Sequence, residues 1–147
     1  MTIGNPSEFG ALLDHAPDAV FLARPNGTIL YANPAACILF GYTLEEFRKL
    51  GTSGMVNLAD GRLSGILEKR RKTGHVTGVL KMVRKDDTRF SAEISSAEFT
   101  DSKGEQRTTV FVRDITEREH RERAIQIVKL KPRSKKKKRS FVKFIIA

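Results

Sequence analysis

Val110-Phe111-Val112-Arg113-Asp114-Ile115-Thr116-Glu117-Arg118-Glu119 is the stretch in which a strand pattern gives way to a helix pattern within three residues. Val110, Phe111, Val112 and Ile115 are β-branched or aromatic, types that suit a half-buried pleated surface, whereas residues 117–123 are a run of charged helix formers. The change falls at Asp114-Ile115-Thr116. Here the spacing predicts a capping box, in which Thr116 accepts from the backbone N–H of Glu119 and Glu119 reaches back to the N–H of Thr116. A strand joined this directly to an outgoing helix would re-aim the helix whenever the sheet moves. An ordinary strand-to-helix connection is the simpler alternative.

Upstream of this junction, residues 76–84 and 88–99 are two further strand-like runs, set off by the turn sequences Lys85-Asp86-Asp87 and Asp101-Ser102-Lys103-Gly104. Earlier still, residues 19–23 and 28–32 flank Arg24-Pro25-Asn26-Gly27, and Asn-Gly between two apolar runs predicts a hairpin. Three helical segments separate the two groups of strands. The first opens on Asn33 as N-cap with Pro34 in the first turn and stops at Gly41. The second is capped by Thr43, with Glu46 three residues on. The third runs from Asp60 to Lys72, with Leu63, Ile66 and Leu67 on one face and Lys69, Arg70, Arg71 and Lys72 at its C-terminal end, where cations favour the dipole.

Because every strand-to-strand link is short enough for a hairpin, the order implies an antiparallel sheet with helices on one face, an α+β fold. Flanking helices complete it: a short amphipathic segment with Phe9, Leu12 and Leu13 before Pro17, and the charged helix after Thr116. The expected organisation is a flanking helix in residues 1–16, a domain in 17–116, an exit helix in 117–130 and a basic tail in 131–147.

The formal charge of +10 on 147 residues resembles that of a nucleic-acid binder until it is divided along the chain. Residues 1–128 hold 18 Lys and Arg against 17 Asp and Glu, whereas residues 129–147 hold nine basic residues and no acid. The basicity therefore belongs to a tail and says nothing of the folded domain's partners. Six of the seven residues 133–139 are basic, and an apolar end follows in residues 141–146. A solvated tail is the default for such a run, with nucleic acid or an anionic membrane as the phosphate-bearing partners it would otherwise suit. A lone cysteine, Cys37, excludes an internal disulfide, and no secretory signal or long apolar run is visible, so the expected compartment is the cytoplasm.

In order and spacing, Asp18-Ala19-Val20-Phe21, residues 26–36, residues 40–47, Arg84-Lys85-Asp86-Asp87-Thr88-Arg89-Phe90 and Asp114-Ile115-Thr116-Glu117-Arg118 together resemble a PAS domain over residues 7–128. The resemblance implies a five-stranded antiparallel sheet with helices packed on one face, a cavity between them, and a sensory, dimerising module of bacterial signalling proteins. It also implies that Asp114, Ile115, Thr116 and Arg118 couple the core to the exit helix. The expected partners are a second copy of the chain, meeting through residues 7–15 and 117–128, and an effector such as a kinase or cyclase that this chain does not contain. Asp87 departs from the family's usual glycine, at a turn where aspartate tolerates left-handed backbone better than most residues.

Light-sensing members form a covalent flavin adduct through a cysteine in an Asn-Cys-Arg type motif, and residues 50–59 hold no cysteine. Haem-binding members use a histidine on the long helix, and residues 60–72 hold none. Neither cofactor is expected, and the ligand stays unnamed. His15, His75 and His120 read as solvated, and Cys37 as a small core or pocket-lining residue. No nucleophile with a nearby base, no phosphate-cradling loop and no metal-spaced cluster is visible, so no catalysis is expected. Phe21, Ile29, Phe40, Phe47, Leu67, Met82 and Phe111 are the candidate cavity residues, with a filled core as the competing reading.

Overall fold

The computed structural model describes residues 6–129, and their side chains from residue 8. The expectations for residues 131–147 fall outside the described residues. Eleven elements follow one another: α1 (Pro6–Asp14), β1 (Ala19–Ala23), β2 (Ile29–Ala32), α2 (Pro34–Phe40), α3 (Leu44–Leu50), a 3-10 turn (Thr52–Met55), α4 (Leu63–Thr73), β3 (His75–Val83), β4 (Arg89–Thr100), β5 (Gln106–Asp114) and α5 (Thr116–Lys129). The strands form one antiparallel sheet in the order β2-β1-β5-β4-β3. The last strand in sequence thus lies at its centre, between the first and the fourth. The chain divides after Ile115, and α5 belongs to a second unit.

Local chemistry sets the element ends. Asn33 accepts from the N–H of Ala36 and caps α2, which ends at Gly41. Thr43 and Glu46 form the reciprocal capping box of α3. Asp87 sits at φ 68°, in the left-handed region that the turn before β4 requires. The helix expected from Asp60 starts three residues later, at Leu63. Asp60 is engaged otherwise: Oδ1 accepts from the backbone N–H of Arg62, two residues on, and Oδ2 from the N–H of Lys81 in β3. A side chain that closes a turn this tight and ties it to the sheet starts a loop, not a helix. At the other end, α5 takes in Thr116 as its first helical residue, one place inside the expected cap position.

Phe21, Phe40 and Phe47, all fully buried, meet edge to face with ring centroids 5.1–6.0 Å apart, and Phe90 joins at 5.5 Å from Phe40. Each such pair adds about 0.5–1.5 kcal/mol beyond its burial. This aromatic cluster, with Ile29 buried beside it, fills the space that α2 and α3 share with β1.

Candidate ligand cavity and the strand–helix junction

The long helix is less well seated than the two short ones. None of its residues is fully buried: Leu63 and Ile66 are partly buried against the core, and Leu67 is 43% exposed. Between α4 and the sheet lies a cavity of about 190 Å³. Leu80 and Met82 of β3, Ile94 of β4 and Val110 of β5 line it, as do Met55 and the apolar residues of α4. Exposed lining residues Pro25, Ser53 and Leu58 mark the side open to solvent.

Polar groups gather among Arg70 of α4, Ser96 of β4 and Thr108 of β5. Arg70 Nη1 donates to Ser96 Oγ at 3.1 Å, and that hydroxyl donates in turn to the carbonyl of Thr109 at 2.9 Å. Arg70 Nε lies 3.5 Å from Glu98 Oε1, a charge contact without hydrogen-bond geometry. Thr108 is only 3% exposed, and its hydroxyl has no hydrogen-bond partner among the described residues.

Of the candidates read from sequence, Leu67 and Met82 line the cavity. Phe21, Ile29, Phe40 and Phe47 lie in the packed core and do not. Phe111 is corrected outright: it is 44% exposed on the outer face, because β5 alternates and Thr108, Val110 and Val112 are its buried residues. The same alternation was the signal for the residues that sequence reading missed. Thr108 shares its parity with Val110 and Val112, and Ser96 shares its parity with Ala92 and Ile94. Arg70 follows Ile66 by four and Leu67 by three, on the apolar stripe of α4.

At the junction, β5 ends at Asp114 and the next residue, Ile115, is buried, its N–H donating to the carbonyl of Ser91 at 3.0 Å. Asp114 has Arg84 as one partner, whose Nη2 lies 3.0 Å from Asp114 Oδ2. Arg118 has Glu122, one turn on in its own helix, at 3.8 Å. Asn33 does more than cap: Oδ1 also accepts from the N–H of Val20, and Nδ2 donates to the carbonyls of Leu13 and Asp18.

Asp60 is held well below the ordinary carboxylate range, and Glu46 is lowered too. For Asp60 the first cause is hydrogen bonding from the Arg62 side chain, followed by the backbone N–H groups of Lys81 and Arg62; for Glu46 it is hydrogen bonding from Lys85. Burial pushes the Cys37 thiol up, away from reactivity. His15, His75 and His120 are exposed. Among the described residues no group of three His, Cys, Asp or Glu could hold a metal ion, and no helix is long and apolar enough to cross a membrane.

A family profile described as a PAS domain matches residues 17–117. The chain belongs to the PAS domain family. Solved PAS domains share its fold. A PAS domain from a two-component sensor histidine kinase is 23% identical over 74% of this chain and 95% of that one, with a TM-score of 0.63. A domain of a sensory box sensor histidine kinase/response regulator from Geobacter sulfurreducens is 25% identical over 74% and 92%, at 0.59. An RNA-binding light-oxygen-voltage receptor is 22% identical over 84% of this chain and 36% of that one, at 0.71. No curated protein matches the chain. The PAS family is one of sensory signalling modules, and a sensory signalling role is what membership supports.

Proposed function

We propose that this PAS domain is a non-catalytic cytoplasmic sensor that takes a small ligand between α4 and the sheet, works as a homodimer, and signals through α5 to an effector outside this chain. The observation that carries the reading is the cavity of about 190 Å³ under α4. Cores are otherwise close-packed, and a void of this size lined by Leu80, Met82, Ile94 and Val110 forgoes dispersion contacts that a ligand would restore. Asp114, Ile115, Thr116 and Arg118 are the proposed coupling residues. Ile115 is anchored on β4 through Ser91, so a sheet adjusting to a ligand moves the residue that precedes α5. Coupling needs little energy, since a bias of a kilocalorie or two shifts two helix orientations several-fold.

Native mass spectrometry of the purified chain tests the ligand reading: an added mass that is lost on denaturation supports it. If no added mass is seen and no small apolar compound raises the melting temperature, the ligand reading fails. Sedimentation at tens of micromolar tests the pairing, with a dimer expected. A second reading rests on the basic run in residues 133–139: the fold presents the tail to nucleic acid or an anionic membrane. Salt-sensitive binding to DNA, RNA or anionic vesicles that disappears on removing residues 131–147 would favour it.

A further inference from the structure

The cavity's polar residues are more specific than its apolar wall. Among the described residues, Arg24 and Arg70 are the only charged ones that line it, and both are cations; Glu98, which lies beside Arg70, is not part of the lining. Of the five N–H groups of the Arg70 guanidinium, the described residues take one in a hydrogen bond, to Ser96. Thr108 lines the same cavity, and its buried hydroxyl has no hydrogen-bond partner among the described residues. A buried hydroxyl left without a partner is costly, so such groups are regularly matched by protein, by water or by a ligand. Ser96 does not compete for the role, because its oxygen already accepts from Arg70 and donates to the carbonyl of Thr109.

These groups call for an acceptor. A planar guanidinium with spare donors matches the two oxygens of a carboxylate, and a neighbouring hydroxyl can donate to the second oxygen. Size sets the rest. A cavity of about 150 Å³ holds benzene, so about 190 Å³ suits a molecule of roughly eight non-hydrogen atoms. Resting on the reading of this space as a ligand site, we infer that the cavity takes a small carboxylic acid with an apolar tail. Its carboxylate lies between Arg70 and Thr108, and its tail lies against Leu67, Leu80, Met82 and Ile94. Hexanoic acid has the required size and chemistry, and 1-hexanol offers the same tail without the charge.

The test titrates the full chain with hexanoate and, separately, with 1-hexanol near neutral pH, read by calorimetry and by melting temperature. Hexanoate is expected to bind at least tenfold more tightly than the alcohol. Arg70→Met should abolish that preference while leaving the alcohol's affinity in place, and Thr108→Val should weaken hexanoate on the order of tenfold, the scale of one hydrogen bond to a charged group. Should Arg70→Met fail to fold, Thr108→Val carries the test, because it removes neither the Ser96 nor the Glu98 contact of Arg70. Equal affinity for acid and alcohol in the wild type, or a preference that survives both substitutions, overturns the acid assignment and leaves an apolar ligand site intact. Binding of neither compound overturns the acid assignment and the ligand reading together.

Discussion

Arg84, just beyond β3, reaches across β4 to Asp114 at the end of β5, placing Nη2 3.0 Å from Oδ2. The same guanidinium donates from Nε to the carbonyl of Leu39 at 3.1 Å and lies 4.3 Å from the centre of the Phe90 ring. Arg84 is therefore a hub that joins α2, the aromatic core and the strand that leads to α5, whereas Asp114 is one of its spokes. Asp114→Ala should cost about 1 kcal/mol, the upper end for a half-exposed pair. Arg84→Ala gives up the Leu39 hydrogen bond and the Phe90 contact as well and should cost about 2–3 kcal/mol. Chemical denaturation of the two variants decides it, and equal costs would show that the ion pair alone matters.

Asn33 is fully buried and makes four side-chain hydrogen bonds, to Val20, Ala36, Leu13 and Asp18. Loss of an N-cap alone costs about 1 kcal/mol. Asn33→Ala also strands the N–H of Val20 and two carbonyls, so about 3 kcal/mol is expected, or a melting temperature lower by about 10 °C. Asn33→Asp keeps the acceptor but turns a carboxylate toward the carbonyls of Leu13 and Asp18, and it too should be destabilised near neutral pH. An aspartate variant as stable as the wild type would show that the amide's donors contribute nothing.

The contrast between Asn33 and Thr108 shows what the sequence discloses. The cap at Asn33, the box at Thr43 and Glu46, the Asn-Gly hairpin and the left-handed Asp87 all depend on neighbours within four residues, and each was legible. The bond from Asn33 to Leu13 spans 20 residues and that from Arg70 to Ser96 spans 26, and no local rule predicts either. Alternation in β5 was legible in principle, but a large aromatic at Phe111 suits either face of a strand by type, and only its parity with Thr109 and Arg113 marks it as outward. The helix expected from Asp60 fails there for a related reason: its partner Lys81 lies 21 residues on, and that contact makes Asp60 a loop anchor instead of a first helical residue.

The depressed pKa of Asp60 gives a pH dependence of definite sign. A carboxylate whose folded-state pKa lies below its unfolded value of about 3.9 contributes stability in full above that value. As pH falls through the window below it, the unfolded chain takes up the proton first and the contribution is lost. Glu46, lowered chiefly by Lys85, and Asp86, lowered chiefly by Thr88, act in the same direction, so the wild type should weaken steadily in acid. Asp60→Asn should remove its own share. The stability gap between wild type and variant is expected to stay level down to about pH 5 and to narrow as the pH falls from there through about pH 3 and below; a constant gap would show that the asparagine loses packing and not charge.

Gly27 and Gly104 make a matched pair for testing the loop at the cavity's open side. Both have left-handed backbone, at φ 92° and 80°, but a Cβ at Gly104 would meet open space, whereas one at Gly27 would lie 2.9 Å from Thr52 Oγ1. Gly27 and Thr52 both line the cavity, and the carbonyl of Gly27 accepts from the N–H of Thr52 at 2.9 Å. Gly104→Ala should therefore cost only the backbone term, about 1–2 kcal/mol. Gly27→Ala should cost that and more, because Thr52 must leave its χ1 rotamer for Oγ1 to clear the new Cβ. Thr52→Ala in the same chain removes the obstructing oxygen. The double variant is then expected to cost no more than Gly104→Ala, giving a favourable interaction energy in a double-mutant cycle of the kind neighbouring residues show. Strict additivity of Gly27→Ala and Thr52→Ala would mean that the loop yields freely at this point and that the close approach of Gly27 to Thr52 does not hold the cavity's edge.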